Sequence, residues 1–506
     1  MTGARTRCAA TLDGVSAPLS SVIKAYDVRG VVPDQLDAPA VRAIGAAFAE
    51  VVVLPQQPAA EVADGVRPRA VIGYDMRPSS PELSAAFADG LASRGVDVVV
   101  IGLCSTDGLY FASGSLDVPG AMFTASHNPA QYNGIKMCRS GARPVGQDTG
   151  LAAVRDLAQS WLDAGAVPPV EGVGPGTVTE QDLLRAYAEH LRSLVDLSGA
   201  RRLGVVVDAG NGMGGHTVPA VLGGAAGLPP LPFDVTELYF ELDGTFPNHE
   251  ANPLEPANLR DLQAAVPRAG ADIGLAFDGD ADRCFVVDEE GDPVSPSAVT
   301  ALVARREIAK ERAAGRDAVV IHNLITSAAV PEIIGEAGGT AVRTRVGHSF
   351  IKQQMADEGA VFGGEHSAHY YFRDFWSADT GMLAAMHVLA ALAESDVPLS
   401  QLAAEYERYA ASGEINSTVD DAAAAAQRVE EVVTAQARAA GEELVVDRLD
   451  GLTITHPASA DAPMWWFNLR ASNTEPLLRL NAEGADEATM VAVRDRVLAL
   501  VRGESA

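Results

Sequence analysis

The sequence is poor in cysteine and in basic residues. Four cysteines occur in 506 residues, and no two are close together: Cys8, Cys104, Cys138 and Cys284. This spacing excludes a disulfide-stapled scaffold and is typical of a reducing compartment. Lys and Arg total 38 against 67 Asp and Glu, which gives a formal net charge of -29. Because nucleic acids and anionic membranes both require a basic footprint, neither is an expected partner.

Long apolar runs are also scarce. No apolar stretch approaches the roughly 18 residues that are needed to cross a bilayer. No continuous apolar segment follows Arg5 and Arg7, so no signal peptide is predicted. Together with the cysteine usage, these features predict a soluble cytoplasmic protein. Its oligomeric state is not determined by the sequence, and we expect a monomer or a homodimer.

The chain does contain a regular alternation of short apolar and longer amphipathic segments. Val71–Gly73 and Val98–Gly102 are strand-like, and Pro81–Arg94 has helical spacing. The alternation restarts at Leu203–Asp208 and again at Ala318–Ile321. Such alternation is typical of α/β layers, and a chain of this length exceeds a single hydrophobic core.

Clusters of Pro and Gly indicate where the domains are joined. They fall at 166–177, 292–297 and 411–417. We therefore expect an α/β protein with three consecutive α/β domains and a smaller C-terminal α+β domain. The predicted segments are a lead-in at 1–20, domain I at 21–170, domain II at 178–296, domain III at 297–410 and domain IV at 413–506.

A serine loop is the first candidate for chemistry. Thr124–Pro129 reads TASHNP, and Tyr132–Lys136 follows it. Small neighbours and a proline favour a rigid loop that exposes Ser126, and backbone N–H groups in such a turn can bind phosphate oxygens. Lys136 is close enough in sequence to return beside the serine. In the alternative interpretation, Ser126 and Asn128 only satisfy the hydrogen bonds of a turn.

An acidic turn is the second candidate. Asp278–Arg283 reads DGDADR, with carboxylates at Asp278, Asp280 and Asp282. Alternate residues of an extended chain point to one side, so the three carboxylates repel one another unless a cation compensates them. Oxygen ligands at a site that leaves positions open for phosphate favour Mg²⁺.

Three alternatives to magnesium remain for this turn. A calcium loop is suggested by Glu289 at the twelfth position, but Arg283 stands where that loop needs Gly. Its flanks, Ile273–Phe277 and Phe285–Asp288, also resemble strands rather than helices. In a phosphatase, Asp278 would be the nucleophile. A solvated turn without function is the third alternative.

Two further loops carry polar groups suited to a phosphorylated sugar. Gly364–His369 reads GEHSAH, in which the Glu365 carboxylate and the Ser367 hydroxyl could bind neighbouring sugar hydroxyls. Arg470–Pro476 reads RASNTEP, in which one guanidinium, two hydroxyls and an amide could hold a phosphate. Taken alone, each also fits an ordinary polar turn or helix cap.

A glycine-rich segment matches a dinucleotide-binding pattern. Gly210–Gly215 reads GNGMGG, and Asp234 follows at a plausible distance. The segment lies in the middle of the chain, however, and the flanking units do not form a pair of mononucleotide-binding halves. We interpret it as a tight turn that packs a strand against a helix.

The order of these motifs resembles the alpha-D-phosphohexomutase superfamily. Together with Lys24–Gly30 (KAYDVRG), the resemblance extends from about Ser21 to Glu483. Three phrases are similar to the bacterial phosphomannomutase/phosphoglucomutase branch: Phe246–His249, Val346–Lys352 and Arg470–Pro476. The resemblance implies four domains around a central active-site cleft, to which each domain contributes one loop.

The resemblance also implies roles for individual residues. The implied catalytic residues are Ser126 as phosphoserine, Lys136 and His348 in proton transfer, and Arg283 at the reacting phosphate. The implied Mg²⁺ ligands are Ser126, Asp278, Asp280 and Asp282. The implied substrate-binding residues are Tyr26 and Arg29 lining the cleft, Glu365 and Ser367 at O3 and O4, and Arg470, Ser472, Asn473 and Thr474 at the other phosphate. A hexose 1,6-bisphosphate is the implied intermediate and activator.

One segment departs from the family pattern. In some members a lysine in the stretch corresponding to Asn323–Ser327 assists catalysis, but here Leu324 and its neighbours occupy it. The identity of the general base is therefore open, with His348 as the favoured candidate.

The sequence leaves several activities in play. The leading hypothesis is interconversion of mannose 6-phosphate and mannose 1-phosphate. Phosphoglucomutase or dual activity is the first alternative, because mannose and glucose differ at C2 whereas the implied contacts are to O3 and O4. Phosphoglucosamine mutase is less expected, since that branch usually has Gly at the position of Asn473. A phosphatase that uses Asp278 and a non-enzymatic sugar-phosphate-binding protein are the remaining alternatives.

Overall fold

The computed structural model describes residues 18–24, 26–459, 462–471 and 477–503, with the backbone only at 61, 62, 348 and 349. The described chain divides into two compact units. The first contains the chain up to Pro293 together with His369–Asp396, and the second contains Val294–Ala368 and the chain from Val397 onward.

The N-terminal part of the first unit is a 7-stranded sheet covered by helices. Its strands are β1 (Val28–Val31), β2 (Arg69–Tyr74), β3 (Asp97–Leu103), β4 (Gly120–Phe123), β5 (Tyr132–Arg139), β6 (Arg143–Pro144) and β7 (Val178–Glu180). Its helices are α1 (Leu19–Val22), α2 (Ala38–Phe48), α3 (Leu54–Gln56), α4 (Ala59–Ala63), α5 (Ser80–Ala92), α6 (Thr106–Leu116) and α7 (Leu151–Asp163).

The strand order is β1-β5-β4-β2-β3-β7, and β6 pairs with β5. Strands β4, β2, β3 and β7 are parallel, whereas β5 is antiparallel to both β4 and β1. The sequence-based boundary at 178 is wrong in one respect, because it assigns Val178–Glu180 to domain II. This segment is the edge strand of the first sheet, paired with β3 through backbone hydrogen bonds that composition does not reveal.

Helix α2 continues through a π-helical turn, Ala49–Val53, into α3, and forms one apolar helix. The expectation that no apolar stretch approaches membrane-spanning length is therefore wrong for Ala38–Gln56, which has 19 residues and a mean hydropathy of 1.5. Of its most apolar window, 61% is buried within the protein. Ile44 and Phe48, for example, are fully buried in the core of the first sheet. One mostly buried helix is weak evidence for a membrane span.

Helices α2 and α5 cross at very short range, and a glycine permits the approach. A Cβ placed on Gly45 would overlap the backbone carbonyl of Phe87 on α5. We expect Gly45→Ala to lower the free energy of unfolding by about 1–3 kcal/mol, because a packed backbone cannot move aside. The matched control is Gly335→Ala, where a Cβ would meet no atom within 4 Å. In that helix alanine should raise the free energy of unfolding by up to about 1 kcal/mol. Chemical denaturation measures both variants. Equal effects at the two positions would contradict the close crossing.

The second part of the first unit is a smaller α/β layer. Its strands are β8 (Leu203–Asp208), β9 (Phe233–Leu238), β10 (Ile273–Phe277), β11 (Cys284–Val287) and the short β12 (Pro293–Val294). Its helices are α8 (Leu184–Leu194), α9 (Gly214–Val221) and α10 (Arg260–Ala269). Strands β9, β8 and β10 are parallel, and β11 runs antiparallel to β10. The β10–β11 connection is the acidic turn.

The second unit begins with a third α/β layer. Its helices are α11 (Pro296–Ala313), α12 (Ala329–Glu336) and α13 (His348–Glu358), and its strands are β13 (Val319–Asn323), β14 (Thr340–Thr344) and β15 (Phe362–Gly364). The three strands are parallel, with β13 between β14 and β15. The loop that follows β15 carries the GEHSAH motif.

The segment His369–Asp396 lies within predicted domain III but packs in the first unit. It forms the antiparallel pair β16 (Tyr370–Phe372) and β17 (Ala378–Asp379), followed by helix α14 (Gly381–Glu394). The helix is buried along nearly its whole length and contacts β11. His369 forms an isolated antiparallel bridge with Arg283, which brings the end of the GEHSAH motif to the acidic turn.

The C-terminal part of the second unit is an antiparallel sheet with helices against it. Its helices are α15 (Leu399–Ala404), α16 (Ala422–Ala440) and α17 (Glu487–Arg502), and its strands are β18 (Ala410–Thr418), β19 (Val445–Asp447), β20 (Leu452–His456), β21 (Trp465–Ala471) and β22 (Leu477–Gly484). The strand order is β18-β22-β21-β20-β19. Val429 on α16, Val497 on α17 and Phe467 on β21 share its core.

Candidate active site

Ser126 lies in the loop that joins β4 to β5 and has a backbone conformation unusual for serine. Its φ is 49°, in the left-handed region. The Thr124 hydroxyl accepts a hydrogen bond of 2.8 Å from the Ser126 N–H. The serine is only 5% exposed. A strained and buried conformation of this kind persists only where the surroundings impose it, and it is common at functional sites.

The surroundings that impose it are centred on Arg77, which the sequence analysis did not single out. Arg77 and its partner Asp75 are both fully buried, with Nε 3.2 Å from Oδ2. The guanidinium donates hydrogen bonds to four backbone carbonyls of the serine loop, those of Ser126, Asn128, Pro129 and Tyr132. Arg77 therefore fixes the backbone of the loop, although it does not touch the serine hydroxyl.

Replacing Arg77 by Met should destabilise the protein and loosen this loop. The variant leaves Asp75 as an unpaired buried charge and removes the donors to four carbonyls, so we expect a loss of about 3 kcal/mol. Arg143→Met is the matched control, because Arg143 is exposed and should change stability by no more than about 0.5 kcal/mol. Urea unfolding followed by circular dichroism measures both. Similar stabilities for the two variants would show that Arg77 does not hold the loop.

The acidic turn is positioned by the β10–β11 hairpin. Phe277 pairs with Cys284, so Asp278–Arg283 forms the complete connection. Ala281 has a φ of 59°, and its N–H donates to the Asp278 carbonyl. The glycine-rich turn packs against it: the Met213 N–H donates to the Gly279 carbonyl over 2.9 Å.

The serine and the acidic turn meet at Asp278. Ser126 Oγ donates to Asp278 Oδ2 over 2.9 Å. Arg283 Nε donates to the same carboxylate oxygen over 2.9 Å. Arg283 Nη2 also donates to His127 Nδ1 over 2.7 Å, and Ser126 Oγ lies 3.2 Å from that nitrogen. The hydroxyl is therefore held beside a carboxylate, a guanidinium and an imidazole.

The other two carboxylates are held by Lys136 and Thr106. Lys136 Nζ donates to Asp280 Oδ2 over 2.7 Å and also to Asp282 Oδ2. The Thr106 hydroxyl donates to Asp280 Oδ2 over 2.6 Å, and its N–H donates to the Asp280 carbonyl. Lys136 comes from β5, so the strand after the serine loop returns its lysine to the acidic turn.

Burial and mutual charge shift the ionisation of these groups. Burial raises the pKa of Asp278 to about 7, although Arg283 acts in the opposite direction. Burial also opposes the charge of Asp280 and of Lys136, but the attraction between the two groups outweighs it. The pKa of Asp280 therefore falls below its ordinary value, and the pKa of Lys136 rises well above its own. Burial, and then Arg283, holds the pKa of His127 well below its ordinary value. Lys136 is therefore a cation and His127 is neutral.

The three carboxylates fit a divalent cation. Asp278, Asp280 and Asp282 each offer an oxygen, and these oxygens lie within 4.8 Å of one another. All three residues are buried, and within the described chain Asp280 Oδ1 and Asp282 Oδ1 accept no hydrogen bond. An unpartnered buried carboxylate oxygen is costly, and coordination of a metal is one of the few ways to satisfy it. The donor set is all oxygen, as Mg²⁺ and Ca²⁺ prefer.

His369 and Asp379 also lie near the turn, and the sequence analysis predicted a role for neither. His369 Nε2 lies 3.7 Å from Asp282 Oδ1 and 4.0 Å from Asp379 Oδ2. His369 is the last residue of the GEHSAH motif, yet only Glu365 and Ser367 of that motif were predicted to be functional. The bridge to Arg283 is a contact between distant segments, and only the position of the histidine next to the predicted loop could have suggested it.

Arg29 lies beside the serine loop. Its guanidinium donates to the Asn128 side-chain oxygen and, over 2.6 Å, to Asp27. Tyr26 is half-buried and precedes β1. The first unit thus brings together Arg29, Ser126, Lys136 and the whole acidic turn.

The remaining predicted residues belong to the second unit. Glu365 is 2% exposed and accepts a hydrogen bond of 3.1 Å from Asn323 Nδ2, whereas Ser367 is half-buried. Arg470 lies near the end of β21, with Nη2 3.6 Å from Glu414 Oε2. His348 begins α13, but its side chain is outside the described part of the structure. Ser472, Asn473 and Thr474 also lie outside the described residues.

Comparison with known families gives one consistent result. Four domain models of the phosphoglucomutase/phosphomannomutase family match in order along the chain. They are alpha/beta/alpha domain I at 20–161, alpha/beta/alpha domain II at 185–291, alpha/beta/alpha domain III at 295–409 and the C-terminal domain at 414–500. Together they confirm the predicted class of three α/β domains followed by a different C-terminal domain.

Individual relatives are similar over almost their whole length. A protein of Xanthomonas campestris pv. campestris, described as phosphohexose mutases, is 40% identical over 483 residues, which is 95% of this chain and 99% of the relative. The phosphomannomutase of Escherichia coli K12 is 37% identical over 484 residues, covering 95% and 98%.

A crystal structure of a phosphoglucomutase/phosphomannomutase family protein from Burkholderia thailandensis matches with a TM-score of 0.78 and 30% identity, covering 96% of this chain and 98% of that one. The matches in sequence and in structure agree with one another on the family. The chain belongs to the phosphoglucomutase/phosphomannomutase family of the alpha-D-phosphohexomutase superfamily, and it is an isomerase of the mutase type.

Proposed function

We propose that the protein is a phosphomannomutase, which interconverts mannose 6-phosphate and mannose 1-phosphate through a phosphoserine at Ser126. The observation that carries the proposal is the placement of the Ser126 hydroxyl. Its Oγ donates to Asp278 and lies in the same buried cluster as Arg283, Lys136 and two carboxylates with unpartnered oxygens. Phosphoryl transfer depends mainly on positioning and on charge neutralisation, and this cluster supplies both.

Charge balance explains why the cluster needs a metal. With all groups ionised, three carboxylates against Lys136 and Arg283 leave one net negative charge. A phosphoserine adds roughly two more. We propose that Asp278, Asp280, Asp282 and the phosphorylated Ser126 hold Mg²⁺ at this position. When bound, the metal polarises the phosphoryl oxygens and neutralises their charge.

The chain's own residues do the remaining work. Arg283, fixed by Asp278, places a guanidinium where a transferring phosphoryl group would meet it. Lys136 is held as a cation by two carboxylates, so in this arrangement it stabilises negative charge and cannot accept a proton. For it to act as a base, those contacts would have to be lost. We retain His348 as the favoured general base.

A mutase must bind the same sugar in two orientations. The phosphoserine transfers its phosphoryl group to one hydroxyl of the hexose phosphate. This step forms a hexose 1,6-bisphosphate and leaves the serine hydroxyl free. That intermediate turns end for end and returns its other phosphate to Ser126. We propose that Glu365 and Ser367 bind O3 and O4 in both orientations. Arg470, Ser472, Asn473 and Thr474 hold the phosphate that is not reacting, and Tyr26 and Arg29 line the site.

We also propose that the enzyme acts in the cytoplasm, with no nucleic-acid or membrane partner. Within the described chain, three cysteines are buried and form no disulfide: Cys104, Cys138 and Cys284. Burial raises the pKa of the Cys104 and Cys284 thiols well above the ordinary value, so both remain protonated. These are properties of structural thiols rather than reactive ones.

Parallel turnover on mannose 1-phosphate and glucose 1-phosphate, with Mg²⁺ and a trace of hexose 1,6-bisphosphate, tests the substrate. We expect both sugars to react, with mannose preferred by less than about tenfold, because contacts to O3 and O4 do not distinguish the two sugars at C2. A glucose preference would overturn the phosphomannomutase assignment, and steady release of inorganic phosphate without isomerisation would overturn the mutase chemistry.

A further inference from the structure

Asp107 is a buried carboxylate to which the function proposed above assigns no role. It is the second residue of α6 and is fully buried. Its hydrogen-bond donors in the described chain are three hydroxyls, those of Ser105, Tyr187 and Thr380. The Tyr187 and Thr380 hydroxyls donate to the same oxygen, Oδ2, over 2.7 and 2.6 Å. The carboxylate therefore joins three elements: α6, α8 and the residue that caps the start of α14.

Burying this carboxylate has a cost. Burial raises the pKa of Asp107 to about 6, although the three hydroxyls act in the opposite direction. An apolar side chain of similar size would fill the space without that cost. A buried polar group whose hydrogen bonds are formed does, however, fix one arrangement of its neighbours. Asp107 therefore fixes the relative position of the three elements that it joins.

The first of these elements, α6, contacts the acidic turn directly. Thr106, the residue before Asp107, donates to Asp280 from its hydroxyl over 2.6 Å and from its N–H over 3.0 Å. Both residues lie in the first turn of α6, which begins after the N-cap Ser105. A shift of the Asp107 carboxylate therefore moves the two donors that hold Asp280.

The start of α14 contacts the acidic turn at its other end. Gly381, the residue after Thr380, packs so closely that a Cβ on it would lie 2.6 Å from the carbonyl carbon of Arg283. The Thr380 N–H donates to the Tyr370 carbonyl over 3.0 Å, and His369, the residue before Tyr370, is bridged to Arg283. The hydrogen bond from the Thr380 hydroxyl to Asp107 therefore holds the start of α14 against the end of the turn.

We propose that Asp107 is a positioning residue that holds the acidic turn in its metal-binding shape from both ends. At one end it acts through Thr106 on Asp280. At the other end it acts through Thr380 on Arg283. The inference rests on the proposed function, because it concerns the Mg²⁺ site assigned above to this turn. Replacing a group that orients metal ligands without binding the metal typically lowers metal affinity or activity by about 10–100-fold.

Direct titration of the full chain with Mg²⁺, in the absence of substrate, tests the proposal in Asp107→Asn. The asparagine keeps the size of the side chain, but its amide nitrogen cannot accept the hydroxyl hydrogen bonds that a carboxylate oxygen accepts. We expect Mg²⁺ to bind about tenfold more weakly, and half-maximal turnover to need correspondingly more Mg²⁺. The KM for hexose phosphate should change by less than about twofold, because the proposed sugar contacts lie on other residues. Unchanged Mg²⁺ affinity in the folded variant would overturn the proposal.

The matched control is Ser113→Ala on the same helix. Ser113 is also fully buried, and its hydroxyl donates to the Val118 carbonyl over 2.7 Å, beyond the other end of α6. This variant should also lower the midpoint of urea unfolding, but it should bind Mg²⁺ like the original protein. An equal loss of Mg²⁺ affinity in the two variants would show a general effect of destabilisation and would overturn the specific role of Asp107.

Two substitutions of Thr380 separate its hydrogen bond from its packing. Thr380→Ser keeps the hydroxyl and loses a methyl group, whereas Thr380→Val keeps the shape and loses the hydroxyl. We expect Thr380→Ser to bind Mg²⁺ within about twofold of the original protein, and Thr380→Val to bind it about tenfold more weakly. The opposite order would overturn the role of the hydrogen bond. Circular dichroism shows whether each variant is folded, and this pair decides the question should Asp107→Asn not fold.

The proposed function and this inference fail in different ways. If the original protein binds no Mg²⁺, the proposed metal site is wrong and the inference is wrong with it. If the original protein and folded Asp107→Asn bind Mg²⁺ equally well, the metal site stands and only the role of Asp107 is wrong.

Discussion

Ser126→Ala should reduce kcat on mannose 1-phosphate by about 10⁴-fold or more. The reason is that no described neighbour can replace the hydroxyl as phosphoryl acceptor. In the variant, Asp278 still accepts a hydrogen bond from Arg283 Nε, and His127 accepts one from Arg283 Nη2. The KM should change much less, because the substrate contacts lie on other residues. Steady-state turnover with hexose 1,6-bisphosphate present measures both constants.

The control for this variant is a second buried serine of the same domain. Ser84 is 5% exposed, like Ser126, and its hydroxyl donates only to the Pro81 carbonyl within its own helix. Ser84→Ala should keep its activity within a factor of about two. If Ser126→Ala were folded and retained a tenth of the activity or more, the phosphoserine mechanism would be wrong.

Removal of divalent metal has the second-largest expected effect. Chelation should lower turnover by about 10³-fold, and added Mg²⁺ should restore it, because the acidic turn alone repels a phosphorylated serine. Asp280→Asn should need more Mg²⁺ for half-maximal activity and should bind Mg²⁺ more weakly in a direct titration without substrate. The titration distinguishes loss of the metal from loss of catalysis.

Asp234→Asn is the matched control for the metal experiment. Asp234 is exposed on β9 and pairs with Arg202, so its charge should not influence the Mg²⁺ requirement. Full activity of the original protein after exhaustive chelation would show that Asp278, Asp280 and Asp282 do not act through a metal. A calcium requirement instead of a magnesium requirement would favour the calcium alternative.

Lys136 gives a structural reason for the strength of this metal effect. In the described structure its ammonium contacts Asp280 and Asp282, while one oxygen of each accepts no hydrogen bond. A single cation on two carboxylates therefore leaves both incompletely satisfied. A divalent ion held by Asp278, Asp280 and Asp282 would supply the missing positive charge.

The residues that sequence alone revealed share one property: their partners are close in the chain or part of a compact motif. The three aspartates of the acidic turn alternate in one short connection, and Lys136 follows Ser126 on the next strand. Their assembly in the first unit agrees with those predictions, although the catalytic and ligand roles stay predictions. The side chain of His348 lies outside the described part of the structure, as do Ser472, Asn473 and Thr474.

The residues that the sequence did not reveal depend on contacts between distant segments. Arg77 acts on carbonyls about 50 positions away along the chain, so only the fold brings them together. His369 reaches the acidic turn through an isolated bridge that no local pattern encodes. The available signal for Arg77 was a charged pair, Asp75 and Arg77, directly after a strand. Charged side chains are rarely buried unless they are paired.

Elements were predicted better than their boundaries. The alternation of strands and helices was correct because it depends on local periodicity. The start of domain II at 178 was wrong because β7 is a three-residue exposed edge strand, fixed only by its pairing with β3. The other boundaries stay predictions.

The most direct test of the central claim is to locate the phosphoryl group on the protein. The enzyme is mixed with hexose 1,6-bisphosphate carrying ³²P, quenched, digested and analysed by peptide mass spectrometry. We predict an acid-stable phosphate on the peptide that contains Ser126, and none in Ser126→Ala. An acid-labile phosphate on the peptide that contains Asp278 would contradict the account and identify an aspartyl phosphatase mechanism instead.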